Sequence, residues 1–231
     1  MIKGYKIRRI KEGSMRLKYP CTPPNCGDLE PRRRVAREAA WLLYIGAVED
    51  FREAKLEAAR SLDADALPSN YEVALELDAI ADEMEGEERR RRLLEMRREA
   101  LNIMRLLSAF NPRLIGSVWR GTARRGSDID IVVYAENPKE VERRLMEGGY
   151  NIGVVEEVSV QKGGEIKVSH HIHIPLNEYE AEIVVRHPDE MDRFERCEIY
   201  GDLKRGLTLS DLERVMSVDP LRRFVPERRL R

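Results

Sequence analysis

The chain has 231 residues, which is enough for one generous domain or for two small ones that each bury a core. Its acidic and basic residues nearly cancel, to a formal net charge of −1, which excludes a chain-wide attraction to nucleic acid. Basic residues cluster locally, at residues 32–34, at 89–92 and at both ends of the chain, and we interpret these clusters as solvated helix faces and tails.

The sequence contains no apolar run of membrane-spanning length, and its first 20 residues are too charged for a signal peptide. These features predict a cytoplasmic protein with no membrane partner. Cys21, Cys26 and Cys197 lack zinc-ligand spacing, so we interpret them as reduced thiols, with a disulfide between Cys21 and Cys26 as the alternative. Arg outnumbers Lys by 32 to 9 and 36% of the residues are charged, a composition typical of thermophilic sources.

The first part of the chain is predicted to be an irregular N-terminal arm, residues 1–30, because several prolines and a glycine interrupt it. A helical domain over residues 31–110 follows. Pro31 is a favourable first helical residue, and apolar residues then recur at helical spacing. This pattern predicts one long amphipathic helix over residues 31–62, eased at Gly46.

Two more helices are predicted in this domain. Ser69 and Glu72 form a capping-box signal, which predicts a helix from there to about residue 84. Gly86 separates that helix from a third one, predicted over residues 87–110 by its apolar periodicity.

Residues 111–231 change in character, because short β-rich runs alternate with helical ones. We predict helices that begin at Pro138, at Pro188 and after a Ser210 cap with Glu213 three residues later, followed by a basic tail. We predict strands over residues 113–115, 129–134, 152–160, 166–174 and 179–186. The predicted fold class is α+β, with an N-terminal helical region followed by a mixed β-sheet flanked by helices.

Gly116-Ser117 directly follows the first of these strands. A glycine at the end of a strand lets the backbone approach a phosphate closely. The serine after it offers a hydroxyl and an amide at a helix start, where anions are favoured. We interpret the pair as a binding site for the phosphates of a nucleoside triphosphate.

Asp128-x-Asp130 opens the next predicted strand. Alternation along a strand places both carboxylates on one face and turns Ile129 and Ile131 towards the core. Two such carboxylates can share a divalent ion, and Mg²⁺ prefers carboxylate oxygens together with substrate phosphates. The pattern therefore predicts a site for Mg²⁺ or Mn²⁺, with two ions, beside the triphosphate.

Together the two motifs closely resemble the signature of the DNA polymerase β-like nucleotidyltransferase superfamily. Small members of that superfamily read Gly-Ser, an Arg-Gly pair, a short loop and then Ser-Asp-hydrophobic-Asp. The matching residues here are Gly116, Ser117, Arg120, Gly121, Ser127, Asp128 and Asp130. The resemblance covers about residues 110–190 and implies a polymerase β-like nucleotidyltransferase domain over residues 111–231. It also implies that Ser117 binds the β- and γ-phosphates while Asp128 and Asp130 hold the metal ions.

The resemblance further implies a third carboxylate on a later strand, where it helps to hold the catalytic metal and to deprotonate the acceptor. Glu182, in Ala181-Glu182-Ile183, is our choice for this residue. Glu180 shares its strand face and is the alternative. The family often has Asp at this position, and a Glu reaches farther.

Arg120, Arg124 and Arg125 lie between the two motifs. The guanidinium fork suits phosphate oxygens, so we expect one of them to contact the nucleotide. His171 and His173 are spaced to share a strand face, which suggests zinc. No Cys or third His with suitable spacing completes such a site, so we favour a polar strand face, with lining of the acceptor cleft as its role.

The leading hypothesis is an enzyme that transfers a nucleoside monophosphate, with AMP from ATP favoured, to a hydroxyl of RNA, protein or a small molecule. The alternative is a noncatalytic module on the same fold that senses a nucleotide or binds RNA. The motifs do not determine the acceptor, the preferred base or the oligomeric state. Convergence of residues 32–34 and 89–92 on the cleft would favour RNA, and dispersed charges would favour a protein or small-molecule acceptor.

Overall fold

The computed structural model describes residues 29–162 and 165–227. The described residues form two compact units, one made of residues 29–80 with 160–162 and 165–167, and the other of residues 81–159 with 168–227. The domain boundary that the sequence predicts at residue 111 stays a prediction. The predicted arm, except for its last two residues, and the first two cysteines lie outside the described residues.

The first unit contains helix α1, Pro31–Tyr44, and helix α2, Phe51–Ser61. The prediction of one continuous helix over residues 31–62 is therefore wrong. Gly46 follows the end of α1 in a left-handed conformation, with φ of 70°, which stops the helix. The Asp50 carboxylate then begins α2 by accepting hydrogen bonds from two amides of its first turn.

Helix α3 spans Asn70–Leu106, but Gly86 within it is not helical, with φ of 53° and ψ of −130°. The predicted pair of helices on either side of Gly86 is therefore confirmed. The capping box is confirmed as well, since Ser69 N donates to Glu72 Oε2 at 2.7 Å and Glu72 N donates to Ser69 Oγ at 3.2 Å. The helix ends earlier than predicted, and a 3₁₀ turn over Ser108–Phe110 replaces its last residues.

Ion pairs join α1 to the first part of α3. The Arg32 guanidinium donates to both carboxylate oxygens of Glu72, at 2.6 and 2.8 Å. Glu76 accepts hydrogen bonds from Arg33 at 2.5 Å and from the buried Arg37 at 2.9 Å. The hydrogen bond from Arg32 is the main cause that lowers the pKa of Glu72 to about 2, against the opposing effect of burial.

The β-sheet belongs mainly to the second unit. Its described strands are β1, Arg113–Ile115; β2, Ile129–Tyr134; β3, Val155–Lys162; β4, Glu165–Pro175; β5, Glu180–Arg186; and β6, Leu207–Thr208. Their order across the sheet is β3-β4-β5-β2-β1-β6. Strands β2 and β5 are parallel, whereas β1 is antiparallel to β2 and β6, and β4 is antiparallel to β5. The predicted mixed sheet is therefore confirmed, and β6 is a strand that the sequence did not predict.

Three further helices belong to this unit: α4, Gly116–Arg120; α5, Pro138–Glu147; and α6, Leu209–Val218. Two predictions are corrected here. Pro188 begins only a 3₁₀ turn, and Thr208, not Ser210, caps α6 in a capping box with Asp211. Within residues 29–162 and 165–227, no helix is both long and apolar enough to cross a bilayer.

One face of the sheet packs on the main core of this unit. Ile129, Ile131 and Ile183 of the central strands are fully buried there, and they pack with apolar residues of α3 from Leu93 to Met104. Because this part of α3 contributes its apolar stripe to the sheet core, the compact unit includes it. Side chains alternate along a strand, so the residues between the buried ones project from the opposite face of the sheet.

Replacing Glu72 with Gln should lower the free energy of unfolding by about 1 kcal/mol at neutral pH, because the partly exposed pair with Arg32 loses its charge. The ordinary pKa of this carboxyl group is 4.5 and its folded pKa is about 2. Its contribution is fully present above pH 4.5 and is lost as the pH falls towards 2, so the variant and the wild type should converge there. Urea unfolding at a series of pH values measures this difference.

The control is Glu57→Gln, which removes an exposed ion pair between Glu57 and Arg60 on the neighbouring helix. It should change the free energy of unfolding by less than about 0.5 kcal/mol at every pH. A difference between Glu72→Gln and wild type that stays constant down to pH 2 would contradict the pKa assigned to Glu72.

Candidate active site

Gly116 lies where β1 ends and α4 begins. Its backbone is left-handed, with φ of 70°, and a Cβ atom on it would lie 1.9 Å from Oδ2 of Asp130. The Asp130 carboxylate therefore occupies the place that any side chain at residue 116 would need. Ser117 follows in the first turn of α4 and is partly exposed. The structure thus brings Gly116 directly against Asp130, one of the predicted metal ligands.

The hydrogen-bond register aligns acidic residues across the sheet. Asp130 on β2 is opposite Ile115 on β1 and opposite Glu182 on β5. Neighbouring strands lie roughly 4.8 Å apart, so the side chains of Asp130 and Glu182 project next to each other from the face opposite the main core. Asp128 lies immediately before β2 and, like these two residues, is partly exposed.

Glu180, the alternative third carboxylate, is the first residue of β5 and pairs with Pro175 on β4. The ladder between β2 and β5 starts one residue later, with Ile129 opposite Ala181. Of the two glutamates, Glu182 is therefore the one in register with an aspartate of β2.

Two histidines of β4 contact the two glutamates of β5. His171 Nδ1 lies 2.7 Å from Glu182 Oε1, and His173 Nδ1 lies 2.7 Å from Glu180 Oε1. Ile172 between the histidines is fully buried, which places both of them on the opposite face of the strand, as the sequence predicted. Within the part of the chain that the structure describes, no group of three or more His, Cys, Asp and Glu side chains is arranged to hold a metal ion.

The residues of this site lie within a segment that matches a known protein family. Residues 98–199 match the family described as "Nucleotidyltransferase domain". Over these residues the chain is similar to that family. The match contains the Gly-Ser pair, both aspartates and both candidate glutamates, so the resemblance that the motifs indicated is confirmed, and it supports nucleotidyl transfer in general terms.

One solved structure that matches the chain is that of a cytoplasmic RNA terminal U-transferase. The two proteins are 18% identical, and the aligned region covers 50% of this chain and 34% of the other, with a TM-score of 0.26. The chain thus spans about a third of the length of that protein. No curated protein sequence matches the chain.

Arg120, which the sequence placed among the nucleotide contacts, has other partners in the nucleotidyltransferase domain. Its guanidinium donates to both carboxylate oxygens of Asp202, at 2.8 and 2.7 Å, and to the carbonyl of Phe224 at 2.8 Å. Its Cζ lies 4.0 Å from the ring centroid of Trp119 and 4.7 Å from that of Tyr200. Since only 4% of Arg120 is exposed, these contacts fasten residues near the C-terminus to α4.

Arg124 and Arg125 lie in the loop between α4 and β2, and Arg125 is exposed. The backbone of this loop is held at two points. The Arg124 amide donates to Ser127 Oγ at 3.0 Å, and the Arg125 amide donates to the Glu85 carboxylate at 3.0 and 3.2 Å. Arg92 forms an ion pair with the same buried carboxylate. The loop therefore presents Arg125 to solvent from a fixed backbone.

Arg97 is a fully buried residue of α3 that the sequence analysis missed. Its guanidinium donates, at 2.7 to 3.1 Å, to the carbonyls of Val118, Trp119, Pro220 and Arg222. Burial lowers the pKa of Arg97 to about 10, with Asp219 acting in the opposite direction, so the group stays charged at neutral pH. The sequence does contain a signal for this buried residue, because Arg97 lies within the apolar stripe formed by Leu93, Met96 and Ala100.

The close approach of Gly116 and Asp130 predicts that Gly116→Ala destabilises the domain by more than its backbone conformation alone requires. The matched control is Gly126→Ala, since Gly126 has φ of 77° and nothing within 4 Å of a Cβ atom. The control should lose about 1 kcal/mol from the unfavourable φ, and Gly116→Ala should lose about 1–3 kcal/mol more because it displaces the carboxylate. Equal losses in urea unfolding would contradict the close approach.

The buried guanidinium predicts that Arg97→Met, which keeps an unbranched apolar side chain and removes the guanidinium, lowers the free energy of unfolding by about 3–5 kcal/mol. The loss arises because main-chain carbonyls from two segments lose their buried donor. Arg98→Met next to it is the control, and since Arg98 is exposed, it should change stability by less than about 0.5 kcal/mol. Similar unfolding midpoints for the two variants would refute the structural role of Arg97.

Proposed function

We propose that the domain transfers a nucleoside monophosphate from a nucleoside triphosphate to an acceptor hydroxyl and releases pyrophosphate, with ATP as donor and AMP as the transferred group. The observation that carries the proposal is the alignment of Gly116, Asp130 and Glu182 around β1, β2 and β5. This alignment brings a turn suited to phosphate and two partly exposed carboxylates to one place on the sheet face opposite the main core.

Asp128, Asp130 and Glu182 are the ligands that we propose for two Mg²⁺ or Mn²⁺ ions. Their carboxylate oxygens are the donors that these hard ions prefer, and Asp130 and Glu182 are opposite each other in the ladder. The ions, when bound, supply activation of the acceptor hydroxyl and neutralisation of charge on the departing pyrophosphate. The register supports Glu182 over Glu180 as the third ligand, because Glu182 is opposite Asp130.

The residues of the chain position the reactants in this proposal. Ser117 and the amides at the start of α4 bind the β- and γ-phosphates. Glu182 accepts the proton of the acceptor hydroxyl while the hydroxyl oxygen attacks the α-phosphorus and pyrophosphate leaves. Arg124 and Arg125 are our candidates for contacts with the triphosphate, whereas Arg120 holds the start of their loop through its bonds to Asp202.

The arginine runs at residues 32–34 and 89–92 are largely neutralised by local ion pairs. In the first run, Arg32 and Arg33 pair with glutamates of α3. In the second run, each arginine pairs with an acidic residue of α3 itself. Because binding of a nucleic-acid backbone depends on cationic groups that meet phosphates, this charge pattern favours a protein or small-molecule hydroxyl over an extended RNA as the acceptor.

The experiment supplies the purified protein with each nucleoside triphosphate labelled at the α-phosphate, together with Mg²⁺ or Mn²⁺. Total RNA, lysate proteins and small metabolites are offered as separate acceptor pools. We expect pyrophosphate release and label in one pool, with ATP as the best donor. The double variant Asp128→Asn with Asp130→Asn should lower both signals to below about 1% of wild type, because it removes carboxylate ligands.

The control double variant is Asp189→Asn with Asp192→Asn, which removes the same charge from exposed positions outside the site. It should keep wild-type activity. Triphosphate binding without pyrophosphate or labelled product would reject the enzyme and leave a nucleotide-sensing module. Label confined to the RNA pool would overturn the acceptor preference alone.

A further inference from the structure

His171 on β4 leans along its strand towards the third carboxylate. Its register partner on β5 is Val184, yet its Nδ1 lies 2.7 Å from Oε1 of Glu182, two residues earlier in the chain. Its other ring nitrogen, Nε2, lies 2.9 Å from Ser169 Oγ. Both ring nitrogens therefore have partners on the sheet face that also carries Asp130.

The chemistry of these partners determines where the ring carries its proton. An ionised carboxylate only accepts hydrogen bonds, so Nδ1 of His171 must donate to Glu182. In the neutral ring Nε2 is then an acceptor, and the Ser169 hydroxyl donates to it. The hydrogen bonds thus run in one direction, from Ser169 through His171 to the Glu182 carboxylate.

The second histidine contacts the other glutamate. His173 Nδ1 lies 2.7 Å from Glu180 Oε1, whereas its Nε2 is 3.8 Å from Glu182 Oε1. The shorter contact therefore joins His173 to Glu180, although Glu182 is its register partner. The two 2.7 Å contacts thus join Glu182 to His171 and Glu180 to His173.

A glutamate side chain is longer and more flexible than an aspartate side chain. Its carboxylate therefore depends more on a contact that fixes its position. The Asp130 carboxylate is short and is packed against the Cα of Gly116. The Glu182 side chain has one more rotatable bond, and ordering such a side chain costs conformational entropy when it must adopt one position. A hydrogen bond that fixes the carboxylate before the substrate binds removes part of that cost from the reaction.

We propose that His171 is a positioning residue for nucleotidyl transfer, which holds the Glu182 carboxylate beside Asp130. His171 acts through Glu182 and touches no reacting atom. The inference rests on the proposed function, because Glu182 is a metal ligand and proton acceptor only within that function.

The main test compares two substitutions of His171. His171→Leu removes the hydrogen bond and should lower kcat by about 10- to 100-fold, with KM for the triphosphate changed by less than about threefold, since Gly116 and Ser117 are untouched. The affinity for Mn²⁺, measured by paramagnetic relaxation without triphosphate, should fall by about 10- to 100-fold as well. His171→Asn places an amide N–H near the position of Nδ1 and should restore most of both losses.

Ser169→Ala is the control, because it removes the hydrogen bond to Nε2 of His171 and leaves the bond to Glu182. It should change kcat by less than about threefold. If circular dichroism shows that His171→Leu does not fold, His171→Gln replaces it, since its amide reaches the position of Nε2 and not that of Nδ1.

The outcomes separate this inference from the function on which it rests. Wild-type kcat and Mn²⁺ affinity in His171→Leu would overturn the role of His171 and leave the proposed function intact. Equal losses in the Leu and Asn variants would show that the ring serves packing, which also overturns it. A wild-type protein that binds no Mn²⁺ and transfers no label would contradict the proposed function, and this inference with it.

Discussion

Arg97 is completely buried in α3, and its guanidinium binds main-chain carbonyls at the end of α4 and in residues 220–222. Helix α4 has only five residues, so its own hydrogen bonds are too few to make it stable. Its last carbonyls also need partners from outside the helix. Because Arg97 supplies them from a long helix that belongs to the sheet core, the position of α4 is set by that core.

The other end of α4 is set by contact with β2. Gly116 has no side chain, which lets the Asp130 carboxylate lie against its Cα atom. The turn suited to phosphate and the first carboxylate are therefore one packed unit. The parallel ladder then places Glu182 opposite Asp130, and the antiparallel ladder places β4 with its histidines beside Glu182. The contact of Gly116 with Asp130 and the two ladders thus set the relative positions of side chains from separate parts of the chain.

The sequence predicted those parts of the molecule whose signals are local. Strand β2 has the predicted bounds because its apolar residues are buried on both faces and Asp-x-Asp marks its start. The Ser69 capping box and the break at Gly86 were also predictable, because each depends on residues that are close together in the sequence. The partners of Arg97 and Arg120 were not predictable, because they are carbonyls and a carboxylate that lie far away in the sequence, and any residue can supply a carbonyl.

The residues after the family match also contribute to the structure of the second unit. The family match ends at residue 199, yet β6 pairs with β1, and a Cβ atom on Gly121 would lie 2.9 Å from the carbonyl oxygen of Arg222. Without the carbonyls of residues 220–224, the buried guanidinium groups of Arg97 and Arg120 would lose acceptors, at a cost of several kcal/mol. The composition suggested a solvated basic tail, but the carbonyls of residues 220–224 bind Arg97 and Arg120 and so help to hold the end of α4 in place.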